Sequence, residues 1–256
     1  MNFKNIRITL LILVLAYIGF DTFWSNQRAT DWKRSLRVVI YPINADNSEA
    51  AAEYIQQLEQ SQFDPINTLL ETEANKYNRQ ISDPIRFALA NELKSKPPEL
   101  PATKSGLSVM WWSIKLRFWA WKEDNYHGPK AQIKAYALYF DPETHKVLKH
   151  STGLKKAKLA INNLFASSKQ TQQNNVVILH ELLHTLGATD KYDLRSGFPT
   201  FPEGFAKKNK QPLYPQNNAE IMGGRIPISD SEAQIPASLE NVVIGNKTAK
   251  EIGWIE

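Results

Sequence analysis

Cysteine is absent from this chain of 256 residues. That excludes disulfides, thiolate metal ligands, a lipid carried on a cysteine, and an inhibitory segment that blocks a metal through a thiolate. Stability must therefore come from an ordinary packed core. Long hydrophobic runs are also missing. The most apolar stretch, Ile8–Phe20, falls short of the about 20 residues that span a bilayer. No internal repeat, low-complexity tract or nucleic-acid-binding motif is present, so no nucleic-acid partner is expected. The charge excess is small, +5 with a pI near 9.2. It gives a modest positive field, best read as a soluble surface with surplus lysines, and by itself it identifies no partner.

At the N-terminus, Lys4 and Arg7 precede the apolar stretch Ile8–Phe20, and Trp24 follows, a residue suited to a membrane interface. Charge followed by an apolar core is the order of a targeting segment. No small-x-small cleavage site ends at Gly19, Ser25 or Ala29. Residues 1–24 are accordingly expected to be an uncleaved signal anchor in preference to a removed signal peptide. The first places the remainder outside the cytoplasm on a membrane, the second as a secreted or periplasmic protein. Residues 25–34 are expected to be a short polar tether, and residues 35–256 one folded domain.

Within that domain, Leu36–Tyr41 has the β-branched density of a buried strand, ended by Pro42. Ser48 caps a helix expected to reach about Glu59, and Pro65 opens another reaching about Asn78. Ile85–Ala90 and Ala131–Phe140 are expected strands, and Lys96–Pro101 a stiff surface connection. From Ile114 to Trp121 the residues alternate: Ile114, Leu116, Phe118 and Ala120 against Lys115, Arg117, Trp119 and Trp121. Alternation predicts a strand with one face in the core. Interleaved basic and aromatic residues also suit a nucleic-acid strand or a membrane interface, although core and edge packing is the preferred reading. Ser196–Asn218, rich in Gly, Pro, Lys and Asn, is expected to be a long irregular loop walling a cleft, and Thr248–Trp254 a short helix packed on the core.

The chemistry concentrates in Val176–Asp193. His180 and His184 are four residues apart on an expected helix, so both imidazoles leave one face, one turn from each other. Two nitrogens so related can hold one zinc ion. Glu181, beside the first histidine, falls near a metal-bound water and suits a general base. Gly187 ends the helix in a left-handed turn that brings Asp190 round as a third ligand, leaving a fourth position open to water. Three protein ligands and an open position form the catalytic arrangement of Zn2+, in contrast to a closed structural site. His127, His145 and His150 have no partner at ligand spacing, and Asp193 and Glu203 are read as solvated loop carboxylates instead of a calcium site.

The run His180-Glu-x-x-His184-x-x-Gly187-x-x-Asp190 resembles the extended zinc motif of the metzincin metallopeptidases, in the variant where aspartate replaces the third histidine. It is similar in this to snapalysin-type enzymes, and Gly187–Asp193 resembles the corresponding segment of immune-inhibitor-A-type peptidases. Ala219-Glu-Ile-Met222-Gly-Gly224 resembles the methionine turn that floors the metal in that family. The two motifs cover residues 176–224. The resemblance implies an α/β, metzincin-like fold with a mixed twisted sheet, an active-site helix and a smaller irregular C-terminal subdomain. It further implies a zinc metalloendopeptidase, acting as a monomer on a polypeptide in extended form. In such folds an edge strand pairs with the substrate, and Leu154–Phe165, directly before the helix, is expected to be that edge. Some members place a tyrosine two residues after the methionine; here that position is Gly224, so Tyr192 or Tyr214 is the candidate transition-state stabiliser. Two other readings stay open: a membrane-tethered protein that binds zinc without turnover, and a zinc hydrolase of a non-protein amide such as a cell-wall peptide.

Overall fold

The computed structural model describes residues 29–101 and 105–255, with Arg7, Thr9 and Ile12 further upstream. Those three are helical and exposed; the rest of the expected anchor lies outside the described residues. Among the described residues no helix is long and apolar enough to cross a membrane.

A five-stranded mixed sheet runs in the order β2-β1-β3-β5-β4. Its strands are β1 (Leu36–Asn44), β2 (Ile85–Leu89), β3 (Ile133–Phe140), β4 (Thr152–Leu154) and β5 (Leu159–Phe165). All pairings are parallel except that of the short edge strand β4 with β5. Helices α1 (Glu49–Gln56), α2 (Asp64–Asn75), α3 (Gly106–Lys122), α4 (Thr171–Leu186) and α5 (Asn246–Glu251) complete a mixed α/β architecture.

The central strands are apolar on both sides because both sheet faces are covered. Val38, Ile40, Ile133, Ala135 and Tyr139 share one core with Ala51, Ile66, Leu70, Leu179, Leu183 and Ala249, from α1, α2, α4 and α5. Val39, Tyr41, Ile43, Tyr136 and Leu138 point the other way, into a second core with Trp112, Leu116 and Ala120 of α3. The sheet therefore separates α3 from α4.

Several expected boundaries move. β1 continues through Pro42 to Asn44. The Pro42 carbonyl accepts from Leu93 N at 2.9 Å, so the missing N–H points to that same side, where β2 has already ended and no ladder bond is lost. The Ser48-capped helix ends at Gln56, and the Pro65 helix at Asn75. Leu154–Phe165 is not one edge strand but a turn between two strands, with β4 at the edge and β5 inside it.

The largest correction concerns Ile114–Trp121, which is helix α3 and not a strand. Ser105 caps it, accepting from Ser108 N at 3.2 Å. Period-two alternation over eight residues arises here by coincidence, since apolar side chains occupy both the inner and the outer face of the helix. Trp112, Leu116 and Ala120, at helical spacing, are the buried set.

The expected tether also enters the core. Ala29 and Trp32 are buried; the Trp32 indole donates to the Ile252 carbonyl at 2.7 Å and meets the Trp254 ring edge-on at 5.8 Å. Replacing an aromatic side chain in such a place leaves a cavity. Trp32→Ala should therefore lower the unfolding free energy by about 3–5 kcal/mol, measured by denaturant titration; an unchanged midpoint would show that this segment is not part of the cooperative unit.

Candidate metal centre

Helix α4 follows β5 after a short turn, and the Asn174 side chain fixes its entry by bonding both the N–H and the carbonyl of Phe165 at 3.2 and 2.9 Å. Val176, Ile178, Leu179, Leu182, Leu183 and Leu186 are buried, leaving His180 and His184 on the remaining face. Gly187 closes the helix at φ 119°, its N–H bonded to the carbonyls of His184 and Leu183, a conformation in which any side chain would be strained.

Each imidazole is oriented by a backbone carbonyl. His180 Nδ1 lies 2.9 Å from the Ile221 carbonyl and His184 Nδ1 lies 2.8 Å from that of Ala188. A carbonyl only accepts, so Nδ1 carries the hydrogen in both rings, and in neutral imidazole Nε2 then presents a bare lone pair. The two Nε2 atoms are 3.1 Å apart, and Asp190 Oδ1 is 3.2 Å from one and 3.1 Å from the other. When both rings are neutral, three acceptors thus converge with no donor among them. Ligand atoms sharing a tetrahedral ion at about 2.0–2.1 Å are about 3.3–3.4 Å apart, so the triangle has the right size to hold one. His180, His184 and Asp190 keep 13, 17 and 30 % of their side-chain surface exposed, which leaves a side open to solvent. Among the described residues they form the only group of three placed to hold a metal ion.

The electrostatics agree. Burial alone would depress the His180 pKa, but Asp190, Glu181 and the Ile221 carbonyl outweigh it and raise it to about 9. Asp190 is held well below the usual carboxylate range, against the upward push of burial, by the two imidazoles. The pocket attracts positive charge, whether a proton or a cation.

Glu181 is buried, and burial pushes its carboxyl up against the pull of both histidines. The backbone N–H of Gly153 in β4 also draws it down, while Oε2 has no partner. A buried carboxylate oxygen is thus left without a hydrogen-bond donor beside the three converging groups. Gly153 lies so close to α4 that a Cβ there would sit 2.3 Å from the Glu181 carbonyl oxygen and 2.5 Å from His184 Cβ.

The expected methionine turn lies against this site. Met222 is fully buried, in the same core as Leu179 and Leu183. Its neighbour Ile221 supplies the carbonyl for His180, and its own carbonyl accepts from Lys191 N, next to Asp190, at 2.8 Å. Glu220 holds the turn: its carboxylate accepts from Gly223 N at 2.9 Å, Gly245 N at 3.1 Å and Thr248 Oγ1 at 2.6 Å. Glu251 of α5 holds the Asp190 segment, accepting from Thr189 N, Thr189 Oγ1 and Lys191 Nζ at 3.0, 2.7 and 2.7 Å.

Burial, together with the nearby carboxylates of Asp190 and Glu181, pushes the Tyr192 phenol up. Its ring is 6.3 Å from that of His180 and within ordinary contact distance, 3.8 Å, of where a Gly224 Cβ would be; the glycine is needed there for its φ of 71°. Tyr214 instead packs on Phe205 at 5.9 Å in the long loop. Asp193 accepts from Arg195 N, Ser196 N and Ser196 Oγ, closing a turn. His145 pairs with Asp46 at 3.3 Å.

Gly153, Glu220, Lys191 and Glu251 were not singled out from sequence. Glu220 carried a weak signal, an acid beside a glycine turn. The others had none, because their partners are remote in the chain. No protein-family model matches the chain and no curated protein is significantly similar to it.

Glu220→Ala would strand three buried donors. It should cost about 3 kcal/mol of stability, read from urea unfolding, whereas an exposed control such as Glu143→Ala should shift it by less than about 0.5 kcal/mol. Gly153→Ala forces β4 away from α4 and should lower the thermal midpoint as well; an unshifted midpoint would contradict the close packing of these two elements.

Proposed function

We propose that this protein is a zinc-dependent endopeptidase, with His180, His184 and Asp190 as metal ligands and Glu181 as general base. The observation that carries the reading is the convergence of three acceptor atoms, with both imidazole tautomers fixed, beside the unpaired buried oxygen of Glu181. A structural site would be closed by a fourth protein ligand; this triad has an exposed side.

Zinc, when bound, lowers the pKa of a coordinated water towards about 7 and polarises a carbonyl. The chain supplies the rest. Glu181 takes the proton of the attacking water and passes it to the leaving amine. The backbone N–H of Gly153 favours the charged form of that carboxylate. Tyr192, whose ring lies 6.3 Å from that of His180, is the candidate for stabilising an oxyanion. The antiparallel edge strand β4 is packed against α4 and offers backbone groups to an extended polypeptide, a mode of recognition independent of side-chain identity. A methionine floor, Met222, beneath an HExxHxxGxxD helix favours membership of the metzincin type.

Glu181→Gln should retain zinc and lose at least about 100-fold in turnover; retained activity would overturn the base assignment. Asp190→Ala should weaken zinc binding by more than about tenfold, measured by competition with a chromophoric chelator; unchanged affinity would point to a different third ligand. Digesting denatured protein and peptidoglycan side by side, with and without chelator, decides the bond type. Chelator-sensitive cleavage of protein supports the peptidase, cleavage of peptidoglycan alone supports an amide hydrolase of the cell wall, and zinc binding without either supports a binding protein.

A further inference from the structure

Helix α3 has a second apolar face that nothing among the described residues covers. Leu107, Trp111, Ile114, Phe118 and Trp121 recur at alternating four- and three-residue steps, and with Met110 they span about 100° of the helix circumference. Trp121 and Leu107 are each 72 % exposed, and Phe118 is 62 % exposed. The opposite side is the packed one. There Trp112 and Trp119 direct their indole N–H groups to Pro98 O and Ser95 Oγ at 2.8 and 2.9 Å. The outward Trp111 and Trp121 make no such bond among the described residues.

Charge frames the stripe. Lys115 and Lys122 lie along one margin and Arg117 along the other, and α3 contains no acidic residue. Arg117 donates to the Lys156 carbonyl at 2.9 Å, which places a further lysine at that margin. Lys122 has Glu123 3.7 Å away. Apolar and aromatic side chains on one arc, with cations on both flanks and free indole N–H groups, match the headgroup boundary of a bilayer. A symmetric pairing of two copies through the stripe would oppose lysine and arginine to the same cations, an unfavourable arrangement.

We propose that the exposed face of α3 seats in the interfacial region of an anionic lipid bilayer. The helix then lies in the plane of the membrane and does not cross it. Because the sheet separates α3 from α4, the helix that carries the candidate metal centre packs on the opposite face of the sheet from this docking surface. The inference is independent of the zinc reading.

The absence of cysteine makes the test direct. Full-length Phe118→Cys and, as a control on the opposite side of the sheet, Thr68→Cys are labelled with a solvatochromic fluorophore and mixed with phosphatidylcholine–phosphatidylglycerol vesicles. The label at 118 should shift to the blue and lose quenching by aqueous iodide, while the label at 68 should keep both properties. Adding Lys115→Glu and Lys122→Glu should abolish most of the shift, and phosphatidylcholine alone should give a smaller one. Failure to bind the vesicles, or binding with unchanged emission at 118, overturns the proposal. So does a label at 118 that is already shielded without lipid: a dimer by light scattering would then identify a second copy as the occupant, and a monomer the chain's own N-terminal segment. An equal shift on phosphatidylcholine alone overturns the anionic preference.

Discussion

Two backbone carbonyls decide the character of this site. By accepting from Nδ1 of His180 and His184, those of Ile221 and Ala188 turn both Nε2 lone pairs towards one point. A carboxylate oxygen of Asp190 joins them there. With both rings neutral these acceptors repel unless a proton or a cation lies between them, so the polypeptide must hold the geometry. It does so from several directions: the helical turn spaces the imidazoles, Gly187 reverses the chain, and Glu251 anchors the returning segment through Thr189 and Lys191.

The buried acid Glu220 links this arrangement to the far end of the chain. Its three hydrogen bonds join the Met222 turn to Gly245 and Thr248, so the carbonyl that orients His180 depends on how the C-terminal residues pack. Trp32, bonded to Ile252 and set edge-on against Trp254, ties the start of the folded region to the same place. The C-terminal residues are irregular in secondary structure, yet they carry much of the support for the ligands. Buried hydrogen-bonded acids suit this task, because stranding their donors is costly and the geometry is thereby fixed.

The two faces of the sheet serve different ends. One packs α4 and so carries the candidate chemistry. The other packs α3, which turns a second apolar stripe outward. That double-faced helix explains why its sequence misled. Period two and period 3.6 can both be fitted when nearly every position is apolar or aromatic, and only the buried set Trp112, Leu116 and Ala120 separates them. The strands β1 and β3 were legible because a run of β-branched and aromatic residues between breakers has few other uses, although Pro42 was misjudged as a terminator. The split of Leu154–Phe165 into β4 and β5 was not legible, since the turn that divides them lies inside a short, mixed segment.

By itself the sequence determined the local facts: a helix with two histidines on one face, a glycine that ends it, and an aspartate within reach of the turn. These depend on spacing along the chain and on the backbone freedom of one residue. Which histidine nitrogens point inward, which oxygen of Glu181 lacks a partner, and that Gly153 must lack a side chain were decided only in three dimensions. Hydrogen-bond partners drawn from β4, from the turn at Met222 and from α5 are far away in sequence. No pattern along the chain encodes a contact whose two halves are set by packing.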